Sequence, residues 1–221
     1  MPEVQDVEPW PEPVDGQVLL GELMRWLTRL VVLPRWAAEI LTLWVLHTYA
    51  FLLRDTSTYI GIESPVRRCG KTTLMSVLHD VVNRPVAVSN ISPPAFYYAI
   101  AELQPTLFID EGDTLLPGNP ELRGILNSGY KKKMSYVLRL ANQESEENSE
   151  GRRTRLVSYS CFCPKAIAQI GHLPETLADR CLVFRMQRKT RADKCERLKS
   201  VDGAVRVASR TSSRGPPTVK W

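Results

Sequence analysis

The chain has no C-x-x-C pair, and its cysteines are odd in number: Cys69, Cys161, Cys163, Cys181 and Cys195. This argues against a disulfide framework and for a reducing compartment. Only three histidines are present, His47, His79 and His172, and none has finger-like spacing to Cys161 or Cys163. Those two thiols therefore read as buried apolar side chains on one strand rather than metal ligands. The opening MPEVQDVEPWPEP lacks the basic start and apolar core of a secretion signal, which predicts a cytoplasmic protein. No long apolar run is free of polar interruption either. Trp36 to Leu53 approaches the minimum length of a membrane span but carries Glu39 and His47, so it reads as a buried helix and no membrane is expected.

What is present fits an ordinary soluble domain. With 221 residues, 43% hydrophobic and 24% charged, one main core with accessory helices is expected. The net charge of +5 is uneven: residues 185–221 hold 11 Lys+Arg against 3 Asp+Glu, a charge of +8, so residues 1–184 carry −3. The basic character belongs to the tail.

Residues 58–73, TYIGIESPVRRCGKTT, read as an apolar strand entering a phosphate-binding loop and then a helix. Gly70 permits close backbone approach, Lys71 offers an ammonium to β/γ phosphates, Thr72 a hydroxyl to Mg²⁺, and Thr73 falls near the α-phosphate. The full pattern G-x-x-x-x-G-K-[ST] lacks its first glycine, because that position is Pro65. Proline has no N–H, so the cradle would consist of the amides of Arg68, Cys69, Gly70, Lys71 and Thr72. A second signal supports the first: TLFIDE (106–111) is a β-prone run ending in two acids. Lying beside the phosphate-loop strand, it would carry Asp110 to Mg²⁺-bound water and Glu111 to the attacking water.

In order, residues 1–14 contain four prolines and predict an extended arm. Asp15 can cap a helix from Gly16 to Leu33, with Leu19, Leu23, Leu27 and Leu30 on one face. Pro34 breaks it, and a second helix over 35–53 completes a helical hairpin, giving an N-terminal region of 15–57. Strands over 58–63, 85–90, 106–110, 155–163 and 181–186 alternate with helices near 71–83, 93–103, 120–128 and 174–179. The predicted fold is α/β, a P-loop NTPase core over 58–189 with a mainly parallel five-stranded sheet covered on both faces. Met134 to Leu140 can form a strand, and 141–151 a polar connection of a hairpin whose flanking cations reach nucleic acid. Four glutamates near that turn oppose the contact. Residues 190–221 read as a basic, irregular tail.

With these motifs placed, the chain resembles a domain-of-unknown-function family of P-loop ATPases from phages and integrative elements, often joined to primase-like domains. The resemblance covers about residues 8–198, through EPWPEPVDG (8–16), SPVRRCGKTTL (64–74), VSNISP (88–93), PTLFIDEGDT (105–114), ELRGILNSGY (121–130), CPKAIAQIG (163–171) and LPETLADRCLVFRMQRK (173–189). That family in turn is similar to AAA+-related helicases. The resemblance implies ATP and Mg²⁺ as ligands, Arg180 as an arginine finger, Lys165 as the sensor residue, a homo-oligomer, single-stranded or forked DNA as substrate and a primase-like partner. Family members continue with helical sequence where this chain turns to Ser, Arg and Pro, which implies truncation or a frameshift. Two function classes follow: a helicase-like motor ATPase, or a nucleotide-dependent regulatory or DNA-binding module that moves nothing. An inactive remnant is the third outcome.

Overall fold

A computed structural model describes residues 11, 13–142, 154–196 and 198. Most of the expected N-terminal arm, the connection over 143–153 and the tail beyond 198 lie outside the described residues.

Helix α1 (Gly16–Leu30) starts where Asp15 Oδ1 accepts from the amides of Gln17 and Val18, at 2.8 and 3.2 Å. A cap of this kind contributes about 1 kcal/mol. A 15-residue helix is marginal alone, so packing must hold it. Leu19, Leu23, Trp26, Leu27 and Leu30 are all buried, and each such side chain contributes roughly 1.5–3 kcal/mol. They pack on α2 (Ala37–Ala50), forming the expected helical hairpin. Helix α2 is 14 residues long, and no helix among the described residues is long and apolar enough to cross a membrane.

The core alternates β1 (Tyr59–Ser64), α3 (Lys71–His79), β2 (Pro85–Val88), α4 (Pro93–Leu103), β3 (Thr106–Ile109), α5 (Gly112–Leu115) and α6 (Pro120–Ser128). It continues through β4 (Tyr136–Asn142), β5 (Thr154–Ser160), β6 (Lys165–Ile170), α7 (Glu175–Ala178) and β7 (Cys181–Arg185). Five strands form one sheet in the order β2-β3-β6-β1-β7, and every neighbouring pair is parallel. Parallel crossovers put helices on both faces. Ile60, Ile62, Ala166 and Ala168 meet α1, α2 and α3 on one side; Leu107, Ile109 and Ile167 meet α4 and α6 on the other.

Two expectations are corrected. The acidic strand β3 does not lie beside the phosphate-loop strand; β6 sits between them. Nor is 155–163 a core strand. Residues 154–160 form β5, which pairs antiparallel with β4 in a separate hairpin, and the core position belongs to Lys165–Ile170. The physical reason is burial: residues 165–169 are buried throughout, whereas Arg155, Leu156 and Ser158 are exposed. Cys161 and Cys163 lie in the connection between β5 and β6, both buried, and burial pushes the Cys161 thiol up to about 11.

Candidate functional site

The phosphate-loop end of the sheet is built by backbone geometry. Strand β1 ends at Ser64, and the chain then curls through left-handed Arg68 (φ 64°) and Gly70 (φ 83°). The left-handed region is open to glycine at Gly70 and costs a non-glycine residue such as Arg68 about 1–2 kcal/mol. Helix α3 begins immediately after, its first bond running from the Leu74 amide to the Gly70 carbonyl at 2.9 Å. The amides of Lys71, Thr72 and Thr73 consequently have no partner within the helix, which leaves them for an anion. Pro65 is exposed, and Cys69 is buried with its thiol donating to the Val66 carbonyl.

Lys71 Nζ donates to Ser64 Oγ at 2.5 Å, and Ser64 Oγ donates in turn to the Val66 carbonyl. The ammonium is thus parked on the loop itself. Thr72 Oγ1 donates to Asp110 Oδ2 at 3.2 Å, joining α3 to the residue that follows β3, although β6 separates the two strands. Among the described residues no cluster of three or more His, Cys, Asp or Glu could hold a metal ion alone. A hydroxyl and a carboxylate meeting beside a phosphate loop do fit Mg²⁺, which binds through one or two protein oxygens plus phosphates and waters. The loop borders two cavities. One of about 460 Å³ is lined by Gly70 and Thr73, the other, of about 420 Å³, by Thr72 and Asp110.

Glu111 is exposed and left-handed (φ 58°), and its amide donates to Asp110 Oδ1 at 3.0 Å. It occupies the turn into α5. Gly112 fits against β6 where any Cβ would come within 3.2 Å of Gln169 Oε1. Asp113, the next acid, accepts the Ile170 amide at 3.2 Å and so fastens this turn to β6.

The remaining two expected site residues lie elsewhere. Lys165 opens β6, at the end of the strand remote from the loop, and is fully buried. Its ammonium donates to Tyr59 Oη and to the carbonyls of Cys161 and Cys163 at 3.0–3.2 Å, over the Tyr59 ring. Burial pushes its pKa down, but Cys163 and Tyr59 more than offset that and leave it above the ordinary value. A buried polar group needs such partners, and they fix Lys165, expected as the sensor, at the strand end remote from the phosphate loop. At the loop end of β6 stands Gln169 instead, whose amide donates to the His172 carbonyl. Arg180 precedes β7, also away from its own loop. Its Nε donates to the Asn127 carbonyl at 3.0 Å and its Nη1 to the Thr176 carbonyl.

The sequence reading missed two residues. Ser64 is one; nothing in the loop pattern marks it. Glu63 is the other, and a lone acid within the apolar run YIGIES was its signal. Its side chain is 5% exposed and accepts from the Leu173 amide at 2.8 Å and His172 Nδ1 at 2.9 Å, with Arg185 Nε at 3.5 Å. Burial pushes the carboxyl up, but the Leu173 amide, His172 and Arg185 outweigh it and leave the pKa below the ordinary value. Stability from Glu63 is therefore complete above its unfolded pKa and lost as pH falls through the lower, folded one. Replacing Glu63 with Gln should flatten the acid limb of a stability–pH curve, read by denaturant melts. An unchanged limb would assign acid sensitivity to other groups.

No family description matches this chain, and no curated protein matches it. Among solved structures it is similar to the apo C-terminal region of NrS-1, at 11% identity and a TM-score of 0.49, covering 95% of this chain and 46% of that one. It is also similar to JCV helicase, at 17% identity and a TM-score of 0.41, covering 76% of this chain and 45% of that one. The chain spans about half the length of each.

Proposed function

We propose that the chain binds ATP with Mg²⁺ at residues 68–73 and hydrolyses it as a helicase-like ATPase in replication or transfer of a phage or mobile element. The observation that carries this reading is the 3.2 Å contact between Thr72 and Asp110, made from the first turn of the helix that Lys71 opens. Lys71 leaves Ser64 for the β/γ phosphates, while the amides of Arg68 to Thr72 support the rest of the chain of phosphates. Thr72 and Asp110 would hold Mg²⁺, which would supply positive charge to the phosphate oxygens. Glu111 orients a water onto the γ-phosphorus and takes its proton as the bond to the leaving ADP oxygen breaks. Arg180 acts on the site of a neighbouring copy, which makes a homo-oligomer part of the reading.

DNA enters through the hairpin β4–β5. Lys131, Lys133 and Arg155 are exposed around it, as are Tyr136, Leu138 and Tyr98, giving cations for phosphates and flat or apolar faces for bases. Turnover stimulated by single-stranded DNA supports the motor; slow, DNA-indifferent turnover supports a nucleotide-dependent module.

The test of the site is Lys71→Ala, followed by calorimetry with Mg-ATP. The expected result is loss of tight binding with the fold intact, since a charge-assisted contact to phosphate is removed. Equal affinity in variant and wild type would contradict the phosphate-loop assignment.

A further inference from the structure

The sequence predicts an irregular tail from residue 190, yet residues 187–196 fold back over the loop end of the sheet. Arg188 Nε donates to the Arg67 carbonyl at 3.2 Å, and the Glu196 amide donates to the Arg29 carbonyl at 2.8 Å, so the segment is held at the phosphate loop and again at α1. Between these ties the Asp193 carboxylate accepts the Thr190 amide and hydroxyl at 2.6 and 2.8 Å and closes a turn. The segment carries four exposed cations, Arg188, Lys189, Arg191 and Lys194, against two acids. Both acids are occupied, Asp193 by Thr190 and Glu196 by Arg29 Nε at 3.3 Å. Arg67 is exposed beside Arg188, and none of these five cations forms an ion pair with another described residue.

We infer that this end of the molecule is a nucleic-acid surface, on which Arg67, Arg188, Lys189, Arg191 and Lys194 take the phosphate backbone of double-stranded DNA. The inference rests on the reading of the chain as DNA-binding and adds to it a second contact for a different form of DNA. Cations gathered on one side of a fold repel one another, and a polyanion relieves that repulsion while shedding its own counterions. Chemistry decides between duplex and single strand. A single strand is held by flat side chains stacked on its bases, and residues 185–198 contain no aromatic residue. A duplex hides its base faces and presents one negative charge per about 1.7 Å of its axis, so cations alone suffice. The hairpin β4–β5, with its exposed Tyr136, leaves from the other end of the sheet. Before it, the Tyr130 carbonyl accepts the Ser57 amide at 3.0 Å and Lys131 bridges Thr56, both ahead of β1, whereas Arg67 follows β1. The six residues of β1 put about 20 Å between the two ends.

The test uses the full chain without nucleotide and two labelled probes, a short blunt DNA duplex and an oligo-deoxythymidylate of the same length, read by fluorescence anisotropy over a salt series. Arg191→Gln/Lys194→Gln leaves the loop and both ties of the segment in place. Duplex affinity should fall about tenfold at low salt, and the slope of log K against log salt should shrink by about 1.8, the loss of two phosphate contacts. Affinity for the oligo-deoxythymidylate should fall less, and circular dichroism should match the wild type. The exchange Arg191→Lys/Lys194→Arg, which keeps both charges, should bind duplex as the wild type does. Unchanged duplex affinity and slope, equal loss on both probes, or a loss in the exchanged variant equal to that of the neutral one overturns the inference. Lys131→Gln/Lys133→Gln addresses the hairpin separately and should weaken the single strand more than the duplex. If it changes neither probe while Arg191→Gln/Lys194→Gln keeps its effect, the hairpin reading fails and this surface stands. A wild-type chain that binds neither probe overturns both.

Discussion

Arg180→Ala should lower ATP turnover by about 10³ to 10⁵, the range that an arginine finger contributes. The side chain lies at the start of β7, whereas the phosphate loop lies at the end of β1, and these strands run parallel. That position leaves Arg180 far from the loop of its own chain, so its role is either across an interface or structural. Its neighbours are carbonyls, those of Asn127 and Thr176, rather than Asp179. Two of its five N–H donors are so engaged, which holds the guanidinium in place and leaves others for a phosphate of the next copy. Mixing separates this from a structural role. Arg180→Ala protein, with its intact Lys71, should regain turnover when combined with Lys71→Ala protein that keeps Arg180. Normal turnover by Arg180→Ala alone, under conditions where wild type assembles, contradicts the finger.

Glu111→Gln should retain Mg-ATP and lose about 10² to 10⁴ in turnover. Glutamine keeps the size of the side chain but cannot take the proton of water. The backbone at Glu111 is left-handed, a conformation that costs roughly 1–3 kcal/mol and that tends to persist at functional turns. Gln shares this constraint with Glu, so binding and fold should be unaffected and the chemistry alone should change. Unchanged turnover, measured by phosphate release at saturating ATP, would make Glu111 a turn residue. Asp113 could not replace it without giving up the Ile170 amide that it now accepts.

The parts legible in the sequence are those with local causes. Apolar periodicity marks α1, the Asp15 cap its start, and Asn119-Pro120 the start of α6, where Asn119 Oδ1 accepts the Leu122 amide at 3.2 Å. The strand, loop and helix from Tyr59 to His79 follow from TYIGIESPVRRCGKTT in the same way. What escaped depends on partners distant in the chain. Strand β6 begins with a lysine, an unlikely first residue for a buried strand, and the reason it is tolerated is Tyr59, 106 positions earlier. The resemblance offered Lys165 as a sensor, and the strand end at which it stands depends on the same distant partner. Strand order is similarly non-local, so β6 between β1 and β3 could not be read from either motif. The return of residues 187–196 to α1 was hidden for a different reason. Their composition is that of a solvated segment, and the bond from the Glu196 amide to the Arg29 carbonyl is a backbone contact, which sequence does not display.

The central claim is that residues 68–73, Asp110 and Glu111 form one ATP-hydrolysing site. Phosphate release from ATP by the full chain, measured with Mg²⁺ and again with chelator in excess, tests it most directly. Turnover should require Mg²⁺ and disappear in Lys71→Ala and Glu111→Gln; turnover of equal rate in wild type and both variants, or none in wild type at concentrations where the chain assembles, would contradict a single ATP-hydrolysing site.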